Sequence, residues 1–151
     1  MAQREKDKAN SGIQRLKRVA VIGCGSFGTQ IAVELSSLGN IIIVVDKDPE
    51  SFSALPSYLL ENSRVVTSIG DGTRETYLRQ AGVQDVDLFI AATNKPSVNL
   101  LSAQLARHVL RIPEVMCLVN DSSLVPIYEG LGIKVINPDA LLMDVIREGL
   151  D

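Results

Sequence analysis

With 151 residues, 46% of them hydrophobic, 4% aromatic and none of them Trp, the chain suits one compact domain and leaves no room for a second of ordinary size. Its dominance by Val, Ile, Leu and Ala is that of a parallel sheet covered by helices on both faces, and no apolar run approaches the roughly 20 residues that span a bilayer. The net charge of −3 conceals six basic residues before position 19; the remainder carries nine basic against sixteen acidic side chains, which argues against a nucleic-acid-binding body.

Residues 1–17 read as a flexible, basic and polar tail without the apolar stretch of a signal peptide. Residues 18–151 read as a single Rossmann domain. Arg18 to Ile22 is a short β-rich run ending at a glycine, after which Phe27, Ile31, Leu35 and Leu38 recur at helical spacing. Gly39-Asn40 closes that helix as a left-handed cap, and Ile41 to Val45 is an apolar strand ending at Asp46. A helix follows Pro49 and is broken or kinked at Pro56; Val65 to Ile69 is the third strand, and Thr73 to Ala81 a short helix closed by Gly82. Val86 to Ala91 is the fourth strand. Ser97 caps a long helix with the apolar stripe Val98, Leu101, Leu105 and Val109, stopping before Pro113. Val115 to Val119, a helix over 122–129 and Ile133 to Ile136 complete six strands. Alternation with such short connections predicts a doubly wound parallel sheet in the order 3-2-1-4-5-6, with helices on both faces. Asn137-Pro138 then opens a helix over about 138–150 whose Leu141, Leu142, Met143, Val145, Ile146 and Leu150 cover too wide an arc for one buried face, so a homodimer or larger assembly is expected.

In Gly23-Cys24-Gly25-Ser26-Phe27-Gly28 the glycines fall at the spacing GxGxxG between a strand and a helix. The first permits the tight turn, the second lets the backbone approach a pyrophosphate, and the third lets helix and strand pack closely. The helix N-terminus adds unpaired N–H groups and partial positive charge. Asp46, eighteen residues after Gly28, stands where a carboxylate accepts hydrogen bonds from the adenosine ribose. It also repels a 2′-phosphate, even with Lys47 beside it, so NADP is disfavoured. Gly70-Asp71-Gly72-Thr73 and Ala92-Thr93-Asn94 end the third and fourth strands at the same crevice and are candidates for the adenine edge and the distal half of the ligand. Asp71 and Thr73 serve equally well as caps of the next helix, and Asn99 and Arg74 are assigned to local capping or surface pairing. His108, beside Arg107 and Arg111, is read as a solvated helix-face residue and Cys24 as a small filler. Cys24 and Cys117 show no metal-ligand spacing and read as reduced thiols. No catalytic residue and no metal site is assigned.

Together these segments resemble the RCK or KTN family, which includes the N-terminal modules of TrkA-type potassium-uptake regulators. The resemblance rests on Val21 to Gly28, Val44 to Asp48, Gly70 to Thr73, Ala91 to Asn94 with Asn99-Leu100-Leu101, and Val135 to Pro138. It implies binding of NAD(H) or of AMP, ADP or ATP, dimerisation through the last helix, and control of a membrane potassium transporter or channel from the cytoplasm. Two departures stand out. Ser26 replaces a basic residue common among channel-regulating members, which weakens the case for a triphosphate, and an RCK-C ligand domain is not expected within these 151 residues. The function expected is therefore a nucleotide-sensing regulatory subunit that is not an enzyme. The alternatives are an NAD-dependent oxidoreductase, which would need a proton donor and a substrate pocket that nothing after the sixth strand supplies, and a stand-alone nucleotide-binding partner of an unrelated protein.

Overall fold

The computed structural model describes residues 16–150, so the expected tail lies, but for its last two residues, outside the described part. Six parallel strands, β1 (Arg18–Ile22), β2 (Ile41–Asp46), β3 (Val65–Ile69), β4 (Leu88–Ala91), β5 (Glu114–Leu118) and β6 (Lys134–Ile136), form one sheet in the order β3-β2-β1-β4-β5-β6. This is the order that the short right-handed connections predict. Because the chain winds one way from β1 to β3 and the other way from β4 to β6, β1 and β4 are neighbours whose following helices lie on opposite faces. A crevice opens above their carboxyl ends.

One face of the sheet is covered by α1 (Ser26–Ser37), the 3-10 turn Pro49–Ala54 and α2 (Ser57–Glu61); Ala32, Leu55 and Leu59 pack there on Val19, Val21, Ile42 and Val44. The other is covered by α3 (Glu75–Gln80), α4 (Pro96–Gln104, continued as a π-helical stretch over Leu105–Val109) and α5 (Val125–Gly130), which enclose Phe89, Val45, Cys117 and Ile133. The inner strands read as continuous apolar runs because both faces are buried. α6 (Pro138–Leu150) leaves the sheet after β6, and none of its residues is buried.

Helix ends follow local chemistry. α1 closes through Gly39 at φ 96°, whose N–H donates to the Ser36 carbonyl while that of Asn40 donates to Leu35, the pairing of a Schellman cap. After β2 the expected helix is a 3-10 turn capped by the Asp48 carboxylate on the Glu50 N–H at 3.0 Å. The helix expected from Thr73 begins at Glu75, and β4 begins at Leu88 rather than Val86 because Val83–Asp85 is taken up by a 3-10 turn. Ser97 is not the cap of α4: Pro96 occupies the first turn and Lys95 precedes it.

Each long helix turns only part of its expected apolar stripe inward: Ile31, Leu35 and Leu105 pack, half-buried, on the core, while the fully buried positions are small or polar. In α1 the buried residues are Gly28, Ala32 and Ser36, whereas Phe27 and Leu38 are exposed; in α4 they are Asn99, Ser102 and Ala103, with Leu101 and Val109 exposed. Small side chains let the helix axes approach the branched strand residues closely.

Phe89, fully buried on β4, is the largest of the completely enclosed side chains. Phe89→Ala is expected to cost about 3–5 kcal/mol of unfolding free energy in urea titrations. A loss under about 1 kcal/mol would mean that the core does not close around this ring.

Candidate nucleotide site

The glycine loop is built by close approach. Gly23 follows β1 at φ 100°, a conformation that side chains resist, and its N–H donates to the Val45 carbonyl at 2.8 Å. A Cβ on Gly28 would lie 1.7 Å from the Gly23 carbonyl oxygen, so α1 can start this near the strand only with glycine there. Gly25 differs: a Cβ on it would meet nothing within 4 Å, and the space beside it is the crevice itself. No side chain caps the N-terminus of α1, which leaves its first-turn N–H groups for a ligand.

Asp46 ends β2 with both carboxylate oxygens engaged by backbone. Oδ2 accepts from the Cys24 N–H at 2.7 Å and Oδ1 from the Asp48 N–H at 2.8 Å. These bonds fix the carboxylate against the glycine loop and still leave a lone pair on each oxygen for a hydroxyl donor. Cys24 itself is buried behind the loop; burial pushes its thiol up, so it has the character of the inert filler expected from the sequence. Burial likewise raises the Cys117 thiol, to about 12, and both cysteines are free.

Two connected crevices share Gly23, Asp46, Thr93 and Asn94. The larger, about 550 Å³, brings in Gly25, Ser26, Phe27 and Ala92; the smaller, about 190 Å³, brings in Lys47, Gly70, Asp71 and Gly72. The larger volume falls within the roughly 300–1,000 Å³ usual for small-molecule sites. Of the residues singled out in sequence, Cys24, Gly28 and Thr73 lie outside the crevice lining. Cys24 and Gly28 shape the loop from behind, and Thr73 serves Asp71.

Asp71 makes a turn rather than a helix cap: its Oδ1 accepts from the Thr73 N–H at 2.9 Å and from the Thr73 hydroxyl at 2.6 Å. That hydroxyl is the main reason its carboxyl is held below the usual range, with Lys47 adding to it. Its other oxygen lies 3.5 Å from Lys47 Nζ and 3.8 Å from Arg74 Nε. Lys47 is thereby drawn towards the β3 loop. His108 shares a separate crevice with Arg107, Arg111 and the Gly130–Gly132 turn.

Sequence reasoning missed Ser51, Pro96, Leu118 and Asn120, which also line the larger crevice. Leu118 and Asn120 follow from the rule that ligands sit at strand carboxyl ends, applied to β5 as well. Ser51 carries no signal, because its position depends on the tight turn after β2. Of the two roles expected for Asn99, local capping or surface pairing, the structure shows the first: its side chain bonds the Thr93 backbone, and the residue is 2% exposed in the lining of the larger crevice.

The family model described as the TrkA-N domain matches residues 19–138. The chain is 30% identical over 118 residues to the Trk system potassium uptake protein TrkA of Streptomyces coelicolor, covering 78% of this chain and 51% of that one. It is 36% identical over 135 residues to the protein of the same name from Azorhizobium caulinodans, covering 87% and 29%. The chain thus spans about half or less of the length of these relatives. Among solved structures, the TrkA-N domain of inner membrane protein ybaL from Escherichia coli shares the fold with a TM-score of 0.76 at 14% identity, over 92% of this chain and all (100%) of that one. The Kef CTD of Shewanella denitrificans, solved in AMP bound form, gives 0.63 at 23% identity over 82% and 74%, and the GsuK channel bound to NAD gives 0.63 at 14% over 82% and 22%.

Gly25 and Gly28 make opposite predictions. Gly25→Ala should fold with its melting temperature within about 2 °C of the parent, because the methyl group enters open space, yet lose affinity for any phosphate seated there. Gly28→Ala should lower the melting temperature by several degrees or abolish folding. Calorimetry with AMP and NAD alongside thermal melts checks both, and a Gly25→Ala protein that binds within a factor of about two of the parent would contradict the placement of the phosphate.

Proposed function

The chain belongs to the TrkA-N domain family, and from that premise we propose that it is a nucleotide-sensing regulatory module of a potassium uptake or channel system. It binds NAD(H) or an adenine nucleotide at Gly23 to Gly28. The observation that carries the reading is the Asp46 carboxylate, held by the Cys24 N–H at the mouth of the glycine loop, beside the uncapped start of α1. In this arrangement the diphosphate lies on the first-turn N–H groups, the adenosine ribose donates to Asp46, and the residues of the two strand-end loops, Gly70 to Thr73 and Ala92 to Asn94, flank the rest of the ligand. Lys47 stands at the adenosine end but is paired with Asp71, so it offers a 2′-phosphate little against the charge of Asp46. NADP(H) is the disfavoured ligand.

Regulation is favoured over hydride transfer because relatives 30% and 36% identical carry potassium-uptake names, although short-chain dehydrogenases share the fold at TM-scores of 0.55. His108, with Arg107 and Arg111, lies in a separate crevice from the one proposed to hold the nucleotide. Among the described residues no helix is long and apolar enough to cross a membrane, and the proposed place of action is the cytoplasmic side of a membrane transporter. α6 is the proposed contact between copies: Leu141, Leu142, Val145 and Leu150 are each at least 60% exposed, an apolar surface unusual for a solvated helix.

Asp46→Ala should weaken NAD, NADH, ADP and AMP together by roughly 10- to 150-fold, the loss of hydrogen bonds to a charged acceptor worth about 1.5–3 kcal/mol. NADP should bind the parent poorly and improve relative to NAD in the variant. Competition titrations decide it: tighter NADP than NAD binding by the parent would mean that Asp46 does not face the ribose. ATP should gain little over ADP, since Ser26 adds no positive charge beyond the diphosphate.

Deletion of residues 138–151 should turn a dimer into a monomer or precipitate the protein. Sedimentation that finds the same monomer before and after deletion would exclude α6 as the contact.

A further inference from the structure

Asn99 lies on the inner face of α4, 2% exposed, and is one of the few buried polar side chains of the domain. Its amide is fully used by the protein. Oδ1 accepts from the Thr93 N–H at 2.9 Å and from the Thr93 hydroxyl at 2.6 Å; Nδ2 donates to the Thr93 carbonyl at 2.9 Å and to the Leu118 carbonyl at 3.3 Å. Two acceptances and two donations saturate an asparagine amide, so none of its capacity is left for a ligand. Both groups it holds line the larger crevice: Thr93 follows β4, and Leu118 ends β5. Thr93 in turn presses on the glycine loop, since a Cβ on Gly23 would lie 2.9 Å from Thr93 Cγ2.

We propose that Asn99 is a positioning residue of the nucleotide crevice, which holds Thr93 against Gly23 and ties the β4 loop to the end of β5 so that the phosphate loop and the distal wall keep a fixed separation. The inference rests on the nucleotide reading and adds to it a residue in the crevice lining that controls affinity through the loops it holds rather than through a hydrogen bond to the ligand. The physical reason is the irregular backbone after β4. Thr93 has left the ladder, so its N–H and carbonyl have no strand partner, and one side chain satisfies both. A buried amide with donor and acceptor on adjacent atoms can do this; a carboxylate or a methyl group cannot.

Two variants test it, each titrated with NAD, ADP and AMP beside the parent. Asn99→Ala frees the Thr93 loop and should weaken the tightest of these ligands by about tenfold or more, the loss expected when two or more buried hydrogen bonds go unmade. Asn99→Asp keeps the volume and the acceptor for Thr93 but turns an ionised oxygen towards the carbonyls of Thr93 and Leu118, with Asp46 as a further negative charge lining the crevice. Those neighbours favour its protonated form, which again donates one hydrogen bond. The variant-to-parent affinity ratio of Asn99→Asp should therefore be low at pH 8 and rise towards one at pH 5.5, a dependence that simple loss of packing does not produce. If Asn99→Ala lacks a cooperative melt, the Asn99→Asp ratio across pH carries the test. Variants that match a nucleotide-binding parent at every pH, or an Asn99→Asp ratio that stays low and flat, overturn the positioning role alone. A parent that binds none of the three ligands overturns the nucleotide reading and this role with it.

Discussion

A helix can start directly off the end of β1 only if nothing stands between its first turn and the carbonyl of the turn that precedes it. Gly28 meets that demand: any side chain there would begin 1.7 Å from the Gly23 oxygen. The rest of the proposed site follows from this contact. It places the uncapped N-terminus of α1 over the carboxyl ends of β1 and β2, and it puts Cys24 where its N–H reaches Asp46 at 2.7 Å. It also lets Thr93 close on Gly23 from the β4 side, so three strand ends converge on one short loop. Removing water from so small a volume strengthens each polar contact in it and raises the cost of leaving any of them unmade.

The polar side chains at the carboxyl ends of the strands follow a common rule. Wherever backbone leaves the ladder at a strand end, a side chain takes over its hydrogen bonds: Asp46 for Cys24 and Asp48, Asp71 for Thr73, Asn99 for Thr93, and Asp121 for Ser123 after β5. Buried backbone must be paired, and loops that crowd a ligand site have no neighbouring strand to pair with. The carboxyl edge of the sheet is thus pre-formed, which would reduce the ordering cost of binding at the proposed site. Small residues on the inner faces of α1 and α4 complete the arrangement by letting both helices sit close to the strands that carry these loops.

Strand positions and sheet order were legible in the sequence because apolar runs of four to six residues between glycines have few other readings, and because connections this short force right-handed crossovers. The glycine loop and Asp46 were legible as a pattern whose spacing has a mechanical cause. Three features were not fully so. The inward faces of α1 and α4 were only partly legible: Ile31, Leu35 and Leu105 of the expected stripes pack on the core, but close packing selects Gly, Ala and Ser at the fully buried positions, and Phe27, Leu38, Leu101 and Val109 point outward. The cap of α4 was misplaced to Ser97, since a serine beside an apolar run is the stronger local signal and Pro96 in the first turn overrides it. The burial of Asn99 was not legible, although local capping was one of its expected roles, because nothing in one dimension reveals that the β4 loop returns over the first turns of its own helix. The exposed apolar length of α6, by contrast, follows from composition alone, as its branched residues encircle too much of the helix to be covered by one sheet face.

A regulatory reading requires that one ligand site and one partner surface belong to the same folded unit. The crevice above β1 and β4 is the proposed ligand site and the uncovered α6 the proposed partner surface; between them the Val119 N–H donates to the Ile136 carbonyl at 3.0 Å, and the adjoining Asn137 accepts the Ala140 N–H at the start of α6. Everything in this account depends on a nucleotide lying on the glycine loop. The most direct test is an amide-resolved NMR titration of the full chain with NAD and with AMP. Saturable shifts centred on Gly25, Ser26, Phe27, Thr93 and Asn94 are the predicted result; spectra that do not change, or shifts confined to residues remote from this loop, would contradict it.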